Sequence, residues 1–207
     1  MSWEKPDKYE VEEHPFDTFI PVKAKFLIIG TFPTHNNNYR FKFFYSGKDN
    51  LFWNIIEKVY DYTFQQNIGD KAIDERQSIL KTKGIGITDM HEKCYRRNKL
   101  STDENLFPIL LKDIFAILDE HNTIKRIILT SRTEVFGALG LFKTFFIQKG
   151  FELSQPQRRK DKILEGSFIY KGRKIEILVP YSPSPRLIEK GTTTMDELVR
   201  MYRICLT

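Results

Sequence analysis

The chain has 207 residues, 41% of them hydrophobic and 17 of them Phe, a length and composition that suit one globular domain with a sizeable core and exclude wholesale disorder. Thirty-three Lys and Arg against 27 Asp and Glu leave a net charge of +6, which permits a polyanionic partner without demanding one. No apolar run nears the roughly 18 residues that span a bilayer, and the start of the chain lacks a signal peptide's apolar stretch, so a cytoplasmic protein with no membrane partner is expected.

The first 20 residues are rich in Glu, Lys and Pro, show no period and read as an N-terminal arm, with Phe16 of His14-Pro15-Phe16 docking on the body. Lys25 to Ile29 is a short β-branched run ending at Gly30, the pattern of a buried strand feeding a functional turn. A long loop follows through Asn36, Asn37 and Asn38, residues that favour turns over helix. Asp49 or Asn50 then caps a helix in which Phe52, Ile55, Ile56, Val59 and Tyr60 share a face. A second helix runs from about Lys71 to Lys83 and stops at Gly84, and Ile85 to Asp89 forms a short strand.

The basic segment Lys93 to Lys99 reads as a loop leading into a helix from Asn105 to about His121, with Pro108 in its first turn. Lys125 to Thr130 is a third buried strand, and Ser131 caps a helix carrying Val135, Leu139, Phe142 and Phe146. Residues 163–170 and 173–179 flank Lys171-Gly172 as a hairpin. A Pro/Ser-rich loop at 180–186 precedes a last amphipathic helix starting at Thr194 or Asp196. Short apolar strands alternating with helices predict an α/β fold, a three-layer α/β/α sandwich on a mainly parallel four-stranded sheet, with functional loops at the strand carboxyl ends.

Gly30-Thr31-Phe32-Pro33-Thr34 is the most informative loop, because glycine lets backbone approach a ligand and proline stiffens the turn. It lacks the Gly-Lys-Ser/Thr of a P-loop and the three glycines of a dinucleotide fingerprint. Alone it is an ordinary strand-to-loop turn. Together with Phe43-Phe44-Tyr45-Ser46-Gly47-Lys48-Asp49-Asn50-Leu51-Phe52-Trp53, it resembles the signature of the uracil-DNA glycosylase superfamily, closest to the hypoxanthine-DNA glycosylase type. Two further segments are similar in order and spacing: Gly84 to Asp89 with Cys94-Tyr95-Arg96-Arg97, and the Pro/Ser loop Pro180 to Arg186.

The resemblance implies a monofunctional glycosylase that hydrolyses the N-glycosidic bond of a deaminated base in base excision repair, without metal or cofactor. Its implied partner is DNA containing such a base, with no membrane and no metal cluster, and the chain is expected to act as a monomer. The two cysteines, Cys94 and Cys205, fall short of the roughly four thiolates of an iron–sulfur cluster; both are expected reduced and buried. A base flipped out of the duplex must be stacked on a ring, read along its polar edge and stabilised as a leaving anion.

Gly30, Thr31, Phe32, Pro33, Phe44, Tyr45 and Ser131 are the base-binding candidates, with Phe44, Phe43 or Tyr45 as stacking ring or simply core. Asn50 matches the family's catalytic asparagine; it also suits a helix cap, and the roles are compatible. Ser182, Pro183, Ser184 and Arg186 are the DNA-binding candidates, their stiff loop meeting phosphates at small ordering cost. This sequence departs from the family where uracil-specific branches carry Asp, Asn or Glu to direct the attacking water and it has Phe32, and where the second motif begins with histidine. Asp89 is either a general base or a turn cap, and His35 a loop histidine. The segments 96–99 and 158–162 either line a duplex-binding face or are solvated loops. A non-catalytic nucleic-acid-binding relative is the main alternative, and a hydrolase or transferase of free nucleosides or nucleotides a third.

Overall fold

A computed structural model describes residues 8–35, 39–151 and 153–207; the first residues of the arm and the Asn36–Asn38 loop lie outside them. Among the described residues, nine strands and six α-helices follow in the order β1 (Tyr9–Glu13), β2 (Phe26–Gly30), α1 (Phe52–Tyr60), α2 (Gly69–Lys83), β3 (Ile85–Asp89), β4 (His91–Arg97), β5 (Leu106–Leu111), α3 (Ile114–Glu120), β6 (Arg126–Leu129), α4 (Ala138–Gln148), β7 (Gln157–Arg158), β8 (Leu164–Tyr170), β9 (Arg173–Val179), α5 (Pro185–Glu189) and α6 (Met195–Cys205). The fold is α/β. Its main sheet has six strands in the order β3-β2-β6-β9-β8-β7 and is mixed, which corrects the expected four-stranded sheet. β3, β2, β6 and β9 run parallel. The hairpin at Lys171-Gly172 then turns β8 back antiparallel against β9, and β7 extends it.

Alternation along the buried strands divides the core in two. Ile28, Ile87 and Ile128 point to one face, where α1, α2 and α6 supply Phe52, Ile56, Leu80, Met201 and Tyr202. Leu27, Ile29, Ile127 and Leu129 point to the other, where α3 and α4 supply Phe115, Leu118, Phe142 and Phe146. Both cysteines are buried, as expected, and are not paired with each other. No helix among the described residues is long and apolar enough to cross a membrane.

A second, three-stranded sheet, β1-β4-β5, overturns three expectations. Part of the arm is a strand: Tyr9–Glu13 pairs antiparallel with β4, although its side chains are mostly exposed. The basic segment is β4 itself, since pairing on both sides fixes an extended chain whose side chains give no hydrophobic period. Residues 105–121 do not form one helix; a single 3-10 turn at Asp103–Asn105 leads into β5, and α3 begins only at Ile114. Pro108 is tolerated because β5 is an edge strand that need not donate outward, and Asp113 caps α3 by accepting from the Phe115 and Ala116 amides.

Elsewhere the boundaries move by less. Gly84 ends α2 in the left-handed region, φ +66°, with its N–H on the Leu80 and Lys81 carbonyls. α4 starts at Ala138 behind Gly137 rather than at Ser131, whose hydroxyl is otherwise engaged. Part of the Pro/Ser loop is helical, as α5, with Pro185 in its first turn. Thr194 caps α6 by accepting from the Glu197 amide.

Candidate functional site

The parallel strands β2, β3 and β6 end side by side, and Gly30 pairs with Asp89 in the last register position of β2 and β3. A Cβ on Gly30 would lie 2.1 Å from Asp89 Oδ1 and 2.7 Å from the Tyr45 hydroxyl, so the missing side chain makes room for those two groups. Tyr45 reaches in from a residue with φ +52°. Its ring stacks on Phe52 at 4.2 Å, and its hydroxyl hydrogen-bonds Thr130 Oγ1 at 2.8 Å. Burial pushes that phenol well above its ordinary range, so it stays neutral.

Thr31 and Ser131, at the ends of β2 and β6, converge on a carboxylate supplied by the 3-10 turn. Ser131 Oγ donates to Asp103 Oδ2 at 2.6 Å, and the Thr31 hydroxyl also hydrogen-bonds Asp103. Burial raises the Asp103 carboxyl above its ordinary value, while those two hydroxyls oppose the shift. Gly137 is required beside them, because a Cβ there would lie 2.3 Å from Ser131 Oγ and 2.9 Å from Asp103 Oδ2.

The arm also contributes. His14 Nε2 lies 2.9 Å from Asp89 Oδ2, with the two side chains 2% and 6% exposed. The Phe32 ring packs among histidines and a cation: it meets His14 at 5.4 Å and His91 at 5.9 Å, and the Arg96 guanidinium lies 5.4 Å from its centroid. Pro33 is buried, and its carbonyl accepts from Arg96 Nη2 at 2.8 Å. Phe44 is 1% exposed. Rings of His14, Phe16 and Phe43 surround it at 5.2–5.7 Å.

Asn50 sits at the mouth of α1. Its Oδ1 accepts from the Phe52 amide at 2.9 Å, a turn bond one residue ahead of the N-cap position, which falls on Leu51 and has no side-chain cap, so neither Asp49 nor Asn50 is the cap of α1. The next amide, Leu51 N–H, donates to the Pro183 carbonyl at 3.0 Å and ties the Asn50 segment to the Pro/Ser loop. Arg132 anchors that loop from the far side. Its guanidinium donates to the carbonyls of Val179, Pro180 and Lys162 and lies 3.9 Å from the Tyr181 ring centroid. Arg186 is exposed on α5 and close enough to Glu104 to help a Thr102 hydrogen bond lower that carboxyl. Ser182 and Ser184 are half-buried. A cavity of about 50 Å³ beside Asn50 is lined by Tyr45, Gly47, Trp53, Glu57 and Arg76, with room for a few water molecules.

The strand ends therefore gather Gly30, Thr31, Tyr45 and Ser131, and the α1 mouth joins Asn50 to Pro183, while Phe32 and Phe44 sit in the aromatic packing behind them. The basic segments are largely neutralised within the fold. Arg96 is fully buried against Glu12, Arg159 pairs with Asp161 and Glu165, and Lys162 pairs with Glu197. Ligand atoms of Glu10, Glu12 and His35 lie within 4.8 Å of one another, but both carboxylates already face cations, Lys99 and Arg96. Sequence reasoning passed over Asp103 and His14. The first lies in a stretch that resembles the lead-in to a helix, and the second in an arm whose pairing has no hydrophobic signature. No family model matches the chain, and no curated protein matches it.

Proposed function

We propose that the chain is a monofunctional DNA glycosylase of the uracil-DNA glycosylase type, built as an α/β/α sandwich and acting as a monomer on deaminated bases in DNA. The observation that carries the reading is the hydrogen bond from Leu51 N–H to the Pro183 carbonyl. It brings two segments more than 130 residues apart in sequence to one place at the start of α1, where Phe52 stacks on Tyr45 and Tyr45 reaches Thr130 after the end of β6. In this reading Asn50 and the α1 N-terminus stabilise the leaving base, and Ser182, Ser184 and Arg186 hold the backbone phosphates. Gly30, Thr31, Pro33 and Ser131 form the floor of the base site. Stacking on Phe44 requires His14 and Phe16 to move off its ring.

The covered Phe44 favours one other reading, a non-catalytic nucleic-acid-binding relative on the same fold. Strand cleavage by alkali after incubation with oligonucleotides carrying hypoxanthine, uracil or xanthine separates the two. The glycosylase reading expects abasic product from at least one of them and its loss in Asn50→Ala. Salt-sensitive binding without product, at stoichiometric protein, supports the binding relative instead.

A further inference from the structure

Hydrolysis of an N-glycosidic bond needs a group that accepts a proton from the attacking water, and Phe32 offers none. The strand ends hold two carboxylates in contrasting settings. Asp89 is committed to His14 at 2.9 Å. Asp103 accepts from the Ser131 hydroxyl at 2.6 Å with the Thr31 hydroxyl beside it, and no cation pairs with it among the described residues. Neither hydroxyl can neutralise it, and both belong to loops of the proposed base site. Gly137 is bare where any side chain would collide with Asp103 Oδ2.

We propose that Asp103 is the general base of the reaction, an inference that rests on the glycosylase reading. As the bond from C1′ to the base nitrogen breaks, its electron pair leaves with the base. Water adds through oxygen to C1′ and gives a proton to the Asp103 carboxylate. The base anion then takes a proton from solvent, and Asp103 returns its own, so the net reaction consumes one water. Ser131 and Thr31 hold the carboxylate in place by donating to it.

The charge environment sets the pH dependence. Burial is the main effect that raises the Asp103 carboxyl, against the Ser131 and Thr31 hydroxyls, and the anions Glu104 on the same turn and Asp89 on β3 add to it; Tyr45, across the site, senses both Asp89 and Asp103. The net effect favours the protonated acid, so the acidic limb of the rate profile should fall above the ordinary aspartate range, with activity rising as the carboxyl ionises.

The test is single-turnover excision between pH 4 and 9, alongside affinity for the abasic product. Asp103→Asn should lower the rate about 100-fold or more and abolish the acidic limb, with product affinity within about threefold of the parent. Asp103→Glu should keep a limb but move it, and this variant carries the test if the asparagine variant does not fold. A rate within threefold of the parent in Asp103→Asn, or a limb unmoved in either variant, overturns the assignment while leaving the glycosylase reading intact. A parent chain that excises no base overturns both.

Discussion

Arg96 is the fully buried side chain of greatest volume among the described residues, and its replacement by Met is the sharpest test of how the site loop is held. Its Nη1 donates to the Leu100 carbonyl at 2.7 Å and its Nη2 to the Pro33 carbonyl at 2.8 Å. Nε lies 2.9 Å from Glu12 Oε2. One guanidinium thus ties β1, β4 and the Gly30–Thr34 loop together. Methionine fills most of the stem, so the loss is chiefly polar. Each hydrogen bond from a charged donor contributes about 1.5–3 kcal/mol, and breaking one side of a buried ion pair costs about 3–5 kcal/mol. Glu12 is 25% exposed and regains some hydration, which places the expected loss near 3 kcal/mol. With a urea slope of about 2 kcal/mol/M, the unfolding midpoint should fall by about 1.5 M. The His35 amide, which donates to Ser101 Oγ at 3.1 Å, should exchange faster in the variant. A loss below about 1 kcal/mol with unchanged His35 exchange would refute the reasoning.

Two further variants probe the strand ends. His91 is fully buried with neither ring nitrogen hydrogen-bonded among the described residues, and burial lowers it to about 4. The unfolded chain therefore binds the extra proton between about pH 6.5 and 4, so stability is full above pH 6.5 and falls as pH drops through that window. His91→Leu should flatten this part of the denaturation profile and gain about 1 kcal/mol at pH 7; an unchanged slope counts against it. Gly30→Ala should cost about 1–3 kcal/mol in thermal or chemical unfolding, because its Cβ would meet Asp89 and Tyr45. A neutral result would mean that the two side chains shift freely.

The individual strands β2, β3, β6, β8 and β9 were legible in the sequence, as short apolar runs bounded by Gly, Asp or Thr and as a hairpin at Lys171-Gly172, but their joining into one six-stranded mixed sheet was not. What escaped is the three-stranded sheet. β1 is mostly exposed and β4 is rich in charge, so neither shows an alternation that identifies a strand; backbone pairing alone defines them. Leu106–Leu111 has apolar spacing that helix and strand share, and only its edge position decides between them. Of the candidate site, the backbone-critical Gly30 and the local bond of Asn50 to the start of α1 could be read locally, although the cap position itself falls on Leu51. The coverage of Phe44 could not, since it depends on His14 and Phe16 folding back from the arm. Asp103 was hidden for the same reason: its partners, Thr31 and Ser131, are distant in sequence and become neighbours only when β2 and β6 pair.

Excision from oligonucleotides carrying hypoxanthine, uracil or xanthine, read as alkali-labile strand breaks, tests the central claim most directly. The account predicts abasic product from at least one of the three and its loss in Asn50→Ala. Intact oligonucleotides throughout, with stoichiometric protein bound to the DNA, would contradict it.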